Sequence, residues 1–317
     1  MATRVFGPRG PSFGRRPALA ALLATAGAPL LGRLSRADTT TRRLRHGRFD
    51  IEIFSDGFIT LPADIIAPDA GPGTQAEIVR RLGGSAGEAP VRVNIPLIRA
   101  GDELILIDTG SGDKFQPSAG RLYDNLVAGG IDPATVTRVV LTHAHPDHSG
   151  GVIRPDGSLA YPNAIWHVSA AEWDYWMAPD FETRIPAALH PFALAARRDL
   201  DAITDRVTLL RSDDEVVSGM QVLDTAGHTP GHISLELAGG DGLIVTADAA
   251  TNVVVSFEHP RWRFGFDIDE DLAIRNRARL LERAAARKTR LLGYHWTEPG
   301  LGYAEPHGQA FRFVPEA

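Results

Sequence analysis

His143, His145, Asp147 and His148 fall within six consecutive positions of LTHAHPDHSGG (141–151), after an apolar run and before two glycines. Four adjacent titratable groups delivered by a buried strand compete and repel once they lose water, unless a cation organises them. In an extended segment residues i and i+2 point the same way, so His143 and His145 can converge on one ion. Asp147 and His148 lie where Pro146 stiffens the turn and Gly150-Gly151 releases it, and can face a second ion. Four ligands from one loop do not complete two sites. Each ion needs at least one more histidine, and a carboxylate can bridge them. The chain has no cysteine, so any metal chemistry rests on imidazole, carboxylate and water.

Distant candidates stand at the ends of strand-like runs, where rigid scaffolds place functional groups. DTAGHTPGH (224–232) puts His228 in a Gly/Pro-rich turn, LIVTAD ends in Asp248, and LLGYH ends in His295. His46, His167, His190, His259 and His307 stand alone and read as satisfied or solvated side chains.

The elements that must position these groups alternate between strand-like and helix-like patterns. FDIEIFSDGFITL (49–61) reads as a hairpin turning at Asp56-Gly57. Segments 91–100 and 103–110 read as paired strands, 118–130 as an amphipathic helix, and VTRVVLTH (136–143) as the buried strand that delivers the cluster. AIWHVS (164–169) is a predicted strand, followed by a helix over 169–177 opened by a serine cap. Further strands are predicted at 207–210, 220–225, 233–238, 242–248 and 289–295, with 310–314 as an edge strand and the longest helix over 269–288. This order predicts an α/β fold of two sheet-plus-helix halves packed face to face. Residues 64–90 and 178–205 read as loop-like or loosely helical caps. Trp173, Trp176, Phe192, Phe257, Trp262, Phe264 and Trp296 flank the metal loops, and an aromatic pocket there would suit acyl chains or aryl leaving groups.

Residues 1–37 differ from the rest. They carry six arginines and no acid, with Arg15-Arg16 before an Ala/Leu run and Ser35-Arg36-Ala37 as a cleavage-site pattern. This is the layout of a twin-arginine-like export signal, although Pro17 and Ala18 depart from its usual form, and it predicts a periplasmic bacterial protein with its main domain at 38–317. The apolar run is too short for a retained anchor, so no stable membrane association is expected after cleavage. Removing six of the 33 basic residues against 39 acidic ones takes the formal net charge from −6 to about −12. That acidity argues against a nucleic-acid partner and leaves a small-molecule substrate. The aromatic-rich loops are compatible with a homodimer.

H-x-H-x-D-H, with the later His228, Asp248 and His295, resembles the metallo-β-lactamase superfamily. The likeness runs from FSDG through LIDTG, THAHPDHSGG, GHTPGH and TAD to GYHW. DGFITLP, YPNA and PGLGYAEPHGQAFRFVP are most similar to the methyl parathion hydrolase branch and its quorum-quenching lactonase relatives. The resemblance implies a four-layer αβ/βα sandwich with two divalent metal ions at one edge, zinc first among the candidates. It implies that His143, His145 and His228 hold one ion, that Asp147, His148 and His295 hold the other, and that Asp248 bridges them. Asp108 in LIDTG would orient a ligand histidine. A hydroxide shared by the ions would then cleave lactones, esters or organophosphate triesters, with Asp248 and Asp147 as catalytic residues and Asp147 the first candidate to carry a proton to the leaving group. One departure is Thr251, where lactonases of the superfamily often carry a tyrosine three residues after the bridging aspartate. The alternatives are a mononuclear iron oxidoreductase on the same fold, which would leave Asp147, His148 and His295 without a purpose, and a non-catalytic binding protein.

Overall fold

The structure, a computed structural model, describes residues 40–185 and 187–316, so the expected export signal at 1–37 lies outside it. The first half comprises β1 (Thr40–His46), β2 (Phe49–Pro62), α1 (Ala63–Ile66), α2 (Pro72–Arg81), β3 (Glu88–Ala100), β4 (Glu103–Ile107), α3 (Leu122–Ala128), β5 (Arg138–Leu141), α4 (Pro146–Ser149), β6 (Ile165–Ser169), α5 (Ala170–Trp176), α6 (Phe181–Arg184), α7 (His190–Asp201) and β7 (Val207–Leu210). The second comprises β8 (Glu215–Val217), β9 (Met220–Asp224), β10 (Ile233–Leu237), β11 (Leu243–Ala247), α8 (Val255–Glu258), α9 (Glu270–Arg287), β12 (Arg290–Gly293), β13 (Leu301–His307) and β14 (Ala310–Pro315). Strands β1 to β7 form one sheet in sequence order, and β8 to β14 form the other. Pairing is antiparallel from β1 to β4 and parallel from β4 to β7. In the second sheet only β11 and β12, joined through α9, run parallel.

The layers follow from the period-2 alternation of strand side chains. Along β4, Ile105 and Ile107 enter the core between the sheets, while Leu104 and Leu106 enter the core beneath the helices of the first half. Along β11, Leu243 and Val245 point to the inter-sheet core and Ile244 points outward to Leu280, Leu281 and Ala284 of α9. Each sheet is therefore buried on both faces, giving helix, sheet, sheet, helix. This is the expected αβ/βα sandwich. The apolar runs of β4, β5 and β11 are continuous because both faces are covered.

Asp56-Gly57 is not a hairpin turn. Strand β2 continues for 14 residues against β3, with a bulge between Ser55 and Gly57. Asp-Gly serves a tight turn and a bulge for the same reason, because glycine supplies the positive φ, here 104°. A side chain at Gly57 would collide with the Ser118 carbonyl, 2.2 Å from the Cβ position. The buried Asp56 carboxylate instead accepts the backbone N–H groups of Ser111, Gly120 and Leu122 at 2.8–2.9 Å, which closes the loop after β4. Strands β1, β8 and β13 have no counterpart among the expected elements, and β14 is the expected edge strand. The two capping segments contain α2 and, in the second, α6 and α7; α7 packs on α4 and α5.

His167, one of the lone histidines expected to be satisfied or solvated, is instead buried in β6, with Nε2 3.3 Å from Arg138 and Nδ1 without a hydrogen-bond partner among the described residues. Burial, and after it the Arg138 charge, lowers its pKa to about 4. The unfolded chain, titrating near 6.5, takes up this proton first, so the contribution to stability is complete above about pH 6.5 and is lost as pH falls through 4. The loss corresponds to about 3 kcal/mol. Urea denaturation of His167→Gln is expected to show a flatter stability profile than wild type between pH 6.5 and 4.

Candidate metal centre

The seven histidines and aspartates singled out in the sequence meet at one edge of the sandwich, each supplied by the end of a strand or the connection after it. His143 follows β5, Asp147 and His148 occupy α4, His228 lies between β9 and β10, Asp248 follows β11 and His295 follows β12. Six of the seven are at least nine-tenths buried; His145 is partly exposed. Ala247, just before Asp248, has φ 43° and ψ −130°, and Asp108 has φ 64°. Non-glycine residues held this way cost about 1–3 kcal/mol each and persist where the surroundings impose them.

Ligand-type atoms gather within 4.8 Å of one another in three groups: His143, His145 and His228; His143, His148 and Asp248; and Asp147, His148 and His295. Asp248 divides its carboxylate between the two sides. Its Oδ2 is 3.2 Å from His228 Nε2, while its Oδ1 is 3.5 Å from His148 Nε2 and 3.4 Å from His295 Nε2. Asp147 Oδ2 lies 3.2 Å from His295 Nε2 and 3.6 Å from His148 Nε2. His145 Nδ1 and His228 Nε2 are 2.9 Å apart.

The far nitrogens of the rings are anchored, which aims the near ones inward. Asp108 Oδ2 accepts from His148 Nδ1 at 2.9 Å and from the Thr142 hydroxyl at 2.8 Å. Since that hydroxyl has donated its proton, it accepts from His143 Nδ1 at 3.2 Å and leaves His143 Nε2 bare. His228 Nδ1 donates to Asp267 at 3.0 Å, and His295 Nδ1 donates to the Arg92 carbonyl at 2.8 Å. Tyr294 stacks on His148 with ring centroids 3.9 Å apart and donates its hydroxyl to the Asp147 carbonyl.

Three observations fit this donor set to a pair of divalent cations. His143 Nε2, His148 Nε2 and Asp248 Oδ1 are buried with no hydrogen-bond partner among the described residues, although such atoms are rarely left so. The donors are imidazole and carboxylate, the ligands of zinc and its first-row neighbours. The electrostatics also call for positive charge. Burial works against protonating His148 and His295, yet Asp248 and Asp147 hold His148 well above its ordinary value and His295 at about 10. His143 and His145 are pushed well below theirs, by burial and then by neighbouring imidazoles. Burial raises Asp248, but His295 and His148 outweigh it and hold the carboxyl well below the usual range.

Several contributors escape sequence reasoning. Asp267 sits in FGFDIDED with no motif around it. Its second oxygen accepts from the buried guanidinium of Arg277 at 2.9 Å, which also donates to the carbonyls of Ala249 and Trp262. His232, the second histidine of GHTPGH, accepts the Asp248 N–H at 3.0 Å, a role its place in the motif could have suggested. Among the flanking aromatics, Trp176 and Phe192 lie 6.1 and 6.3 Å from the His145 ring, and Phe264 lies 5.9 Å from His228. Phe115 and Phe266, not foreseen, lie 6.4 and 6.0 Å from Phe192. Phe257 and Trp296 belong instead to the core beneath α9, and Trp173 and Trp262 pack against the first-half core. Thr251 is buried at the end of the single turn that begins at Asp248.

Residues 89–295 match the family profile described as the metallo-beta-lactamase superfamily. The N-acyl homoserine lactonase AttM of Rhizobium radiobacter is 34% identical over 137 residues, covering 40% of this chain and 46% of the relative. That match spans about half the relative's length. The N-acyl homoserine lactonase of Bacillus thuringiensis is 26% identical over 215 residues, 60% of this chain and 77% of the relative. Among solved structures, AidC, a dizinc quorum-quenching lactonase in complex with a product, superposes with a TM-score of 0.81 at 28% identity, covering 88% of this chain and 99% of AidC. The hydrolase AbOPH of the beta lactamase superfamily gives 0.80 at 27%, covering 87% and 97%.

Arg277 and Asp267 are both buried, so removing one partner leaves an uncompensated charge, at a cost of about 3–5 kcal/mol. Asp267→Ala is expected to lose about that much in urea denaturation of the metal-free protein. Combining it with Arg277→Met should recover most of the loss.

Proposed function

The chain belongs to the metallo-β-lactamase superfamily, and from that premise we propose that it is a dinuclear metal-dependent hydrolase of lactones, with N-acyl homoserine lactones as the first substrate class. The observation that carries this reading is the divided carboxylate of Asp248, with one oxygen toward His228 and the other toward His148 and His295. His143, His145 and His228 would hold one ion, Asp147, His148 and His295 the other, and Asp248 both. Two divalent ions, zinc first, would supply ionised water near neutral pH and Lewis acidity toward the substrate oxygen. The chain's own residues do the rest. Asp108, Asp267, Thr142 and the Arg92 carbonyl fix the rings, so the ligand atoms are in place before substrate arrives. Trp176, Phe192, Phe115 and Phe266 wall the side next to the partly exposed His145, where they would exclude water and pack against an acyl chain or an aryl group. Asp147, next to His295, would carry a proton toward the leaving group. Esters and organophosphate triesters need the same nucleophile and the same charge stabilisation, and belong to the proposal as further substrates. Thr251 in place of a tyrosine favours the triesters among these.

Asp248→Ala is expected to lower kcat/KM on a long-chain N-acyl homoserine lactone about a thousandfold or more, equivalent to about 4 kcal/mol of transition-state stabilisation. Bound metal should fall below two ions per chain while the far-UV circular dichroism is unchanged. Near-wild-type turnover would sink the dinuclear reading. Comparing kcat/KM of the wild type on that lactone and on an aryl dialkyl phosphotriester ranks the two substrate classes, and a preference for the triester would overturn the lactone assignment.

Residues 1–37 are proposed as a twin-arginine-type export signal, on the strength of Arg15-Arg16 and the Ser35-Arg36-Ala37 junction. Full-length protein expressed in a bacterial host should appear in the periplasm with Asp38 as its first residue by N-terminal sequencing. An uncleaved cytoplasmic product would refute the assignment.

A further inference from the structure

Glu172, in the first turn of α5, is fully buried, and its carboxylate hydrogen-bonds four groups that are not among the seven ligand side chains. Its carboxylate reaches both segments that carry the His143, His145 and His228 group. Oε1 accepts the backbone N–H of Ala144, between His143 and His145, at 2.8 Å, and the indole N–H of Trp176 at 2.6 Å. Oε2 accepts the hydroxyl of Thr229, the residue after His228, at 2.6 Å, and the N–H of Gly231 at 3.1 Å. An ionised carboxylate offers about four acceptor sites, so these four donors fill it.

The surroundings are built for this contact. Ser169 Oγ accepts the Glu172 N–H at 3.1 Å, capping α5, and donates to the Gly231 carbonyl. The chain at Gly231 runs so close to the helix start that a Cβ would sit 1.9 Å from Glu172 N, so only glycine fits. Trp176, held by the same carboxylate, lies edge-on to the His145 ring. The Asp147, His148 and His295 side is held without Glu172: Tyr294 after β12 holds His148 and Asp147, the Arg92 carbonyl of β3 holds His295, and Asp108 after β4 holds His148 and, through Thr142, also His143.

We propose that Glu172 is a positioning residue that sets the spacing between the His143/His145 segment and the His228 segment, and so selectively tunes one of the two metal sites. The inference rests on the dinuclear reading above. A purely structural glutamate would affect both sites and the fold together. A positioning glutamate affects the His143, His145 and His228 site and spares the other.

The test is stepwise titration of metal-free wild type and Glu172→Gln with Co2+, followed by calorimetry and by the visible d–d spectrum of each bound ion, alongside the Tm of the metal-free proteins. Glutamine keeps the size but turns an amide NH2 toward two of the donors. The expected result is one ion bound by the variant at wild-type affinity and the other about 10–100-fold more weakly, with an altered spectrum for the weaker ion only. Unchanged affinities, or an equal loss at both sites accompanied by a lower metal-free Tm, would overturn the assignment. If Glu172→Gln does not fold, Thr229→Val removes one donor and no charge, and should show the same selective weakening at about tenfold. The wild-type titration separately reports the premise: fewer than two ions there would refute the dinuclear reading itself, whatever the variants do.

Discussion

Buried carboxylates that face buried imidazoles organise this molecule. Asp248, Asp147 and Asp108 are all out of water, and each faces at least one of the rings of His148, His295 and His228. Neither set of groups is comfortable alone in a low dielectric. The carboxylates draw positive charge onto His148 and His295, while burial strips it from His143 and His145. The cluster is thus polarised along its length: burial disfavours charge on His143 and His145, and the carboxylates favour it on His148 and His295. Asp248 stands between the two with one oxygen for each.

Holding such a cluster together requires that it be anchored from outside. The anchors come from separate parts of the chain: Asp108 just after β4, Asp267 before α9, His232 before β10, and the Arg92 carbonyl of β3. Arg277 extends this one step further, tying Asp267 to the carbonyl of Ala249, the residue after Asp248. Backbone strain at Asp108 and Ala247 is tolerated because the strands behind them are packed on both faces. The sandwich brings the ends of β4, β5, β11 and β12 to one edge, so the stiffness of two sheets is transferred to the ligands.

Much of this was legible in the primary structure. The H-x-H-x-D-H run announces itself because adjacent buried titratable groups have few explanations besides a cation. Strand-terminal His228, Asp248 and His295 follow from where turns interrupt apolar runs, and the α/β class follows from the alternation of periods. Asp56-Gly57 shows the limit of local signals: a turn and a bulge need the same positive φ, and only the pairing of β2 with β3 along its whole length separates them. The flanking aromatics show it again, since Phe264 and Phe257 are equally apolar in the sequence yet one lies beside His228 and the other in the core under α9.

The sequence by itself determined which residues could bind metal, because ligand chemistry is a property of side-chain type and short-range spacing. It also determined the layers, because the period of apolar residues decides which faces must be buried. Tertiary structure alone decided which way each ring points and what holds it there. Asp267, Arg277, Glu172 and His232 reach groups 10 to 59 residues away through hydrogen bonds whose pairing no local pattern sets. Such contacts depend on how elements dock, and docking is fixed by the summed packing of both sheets rather than by any segment that carries a ligand.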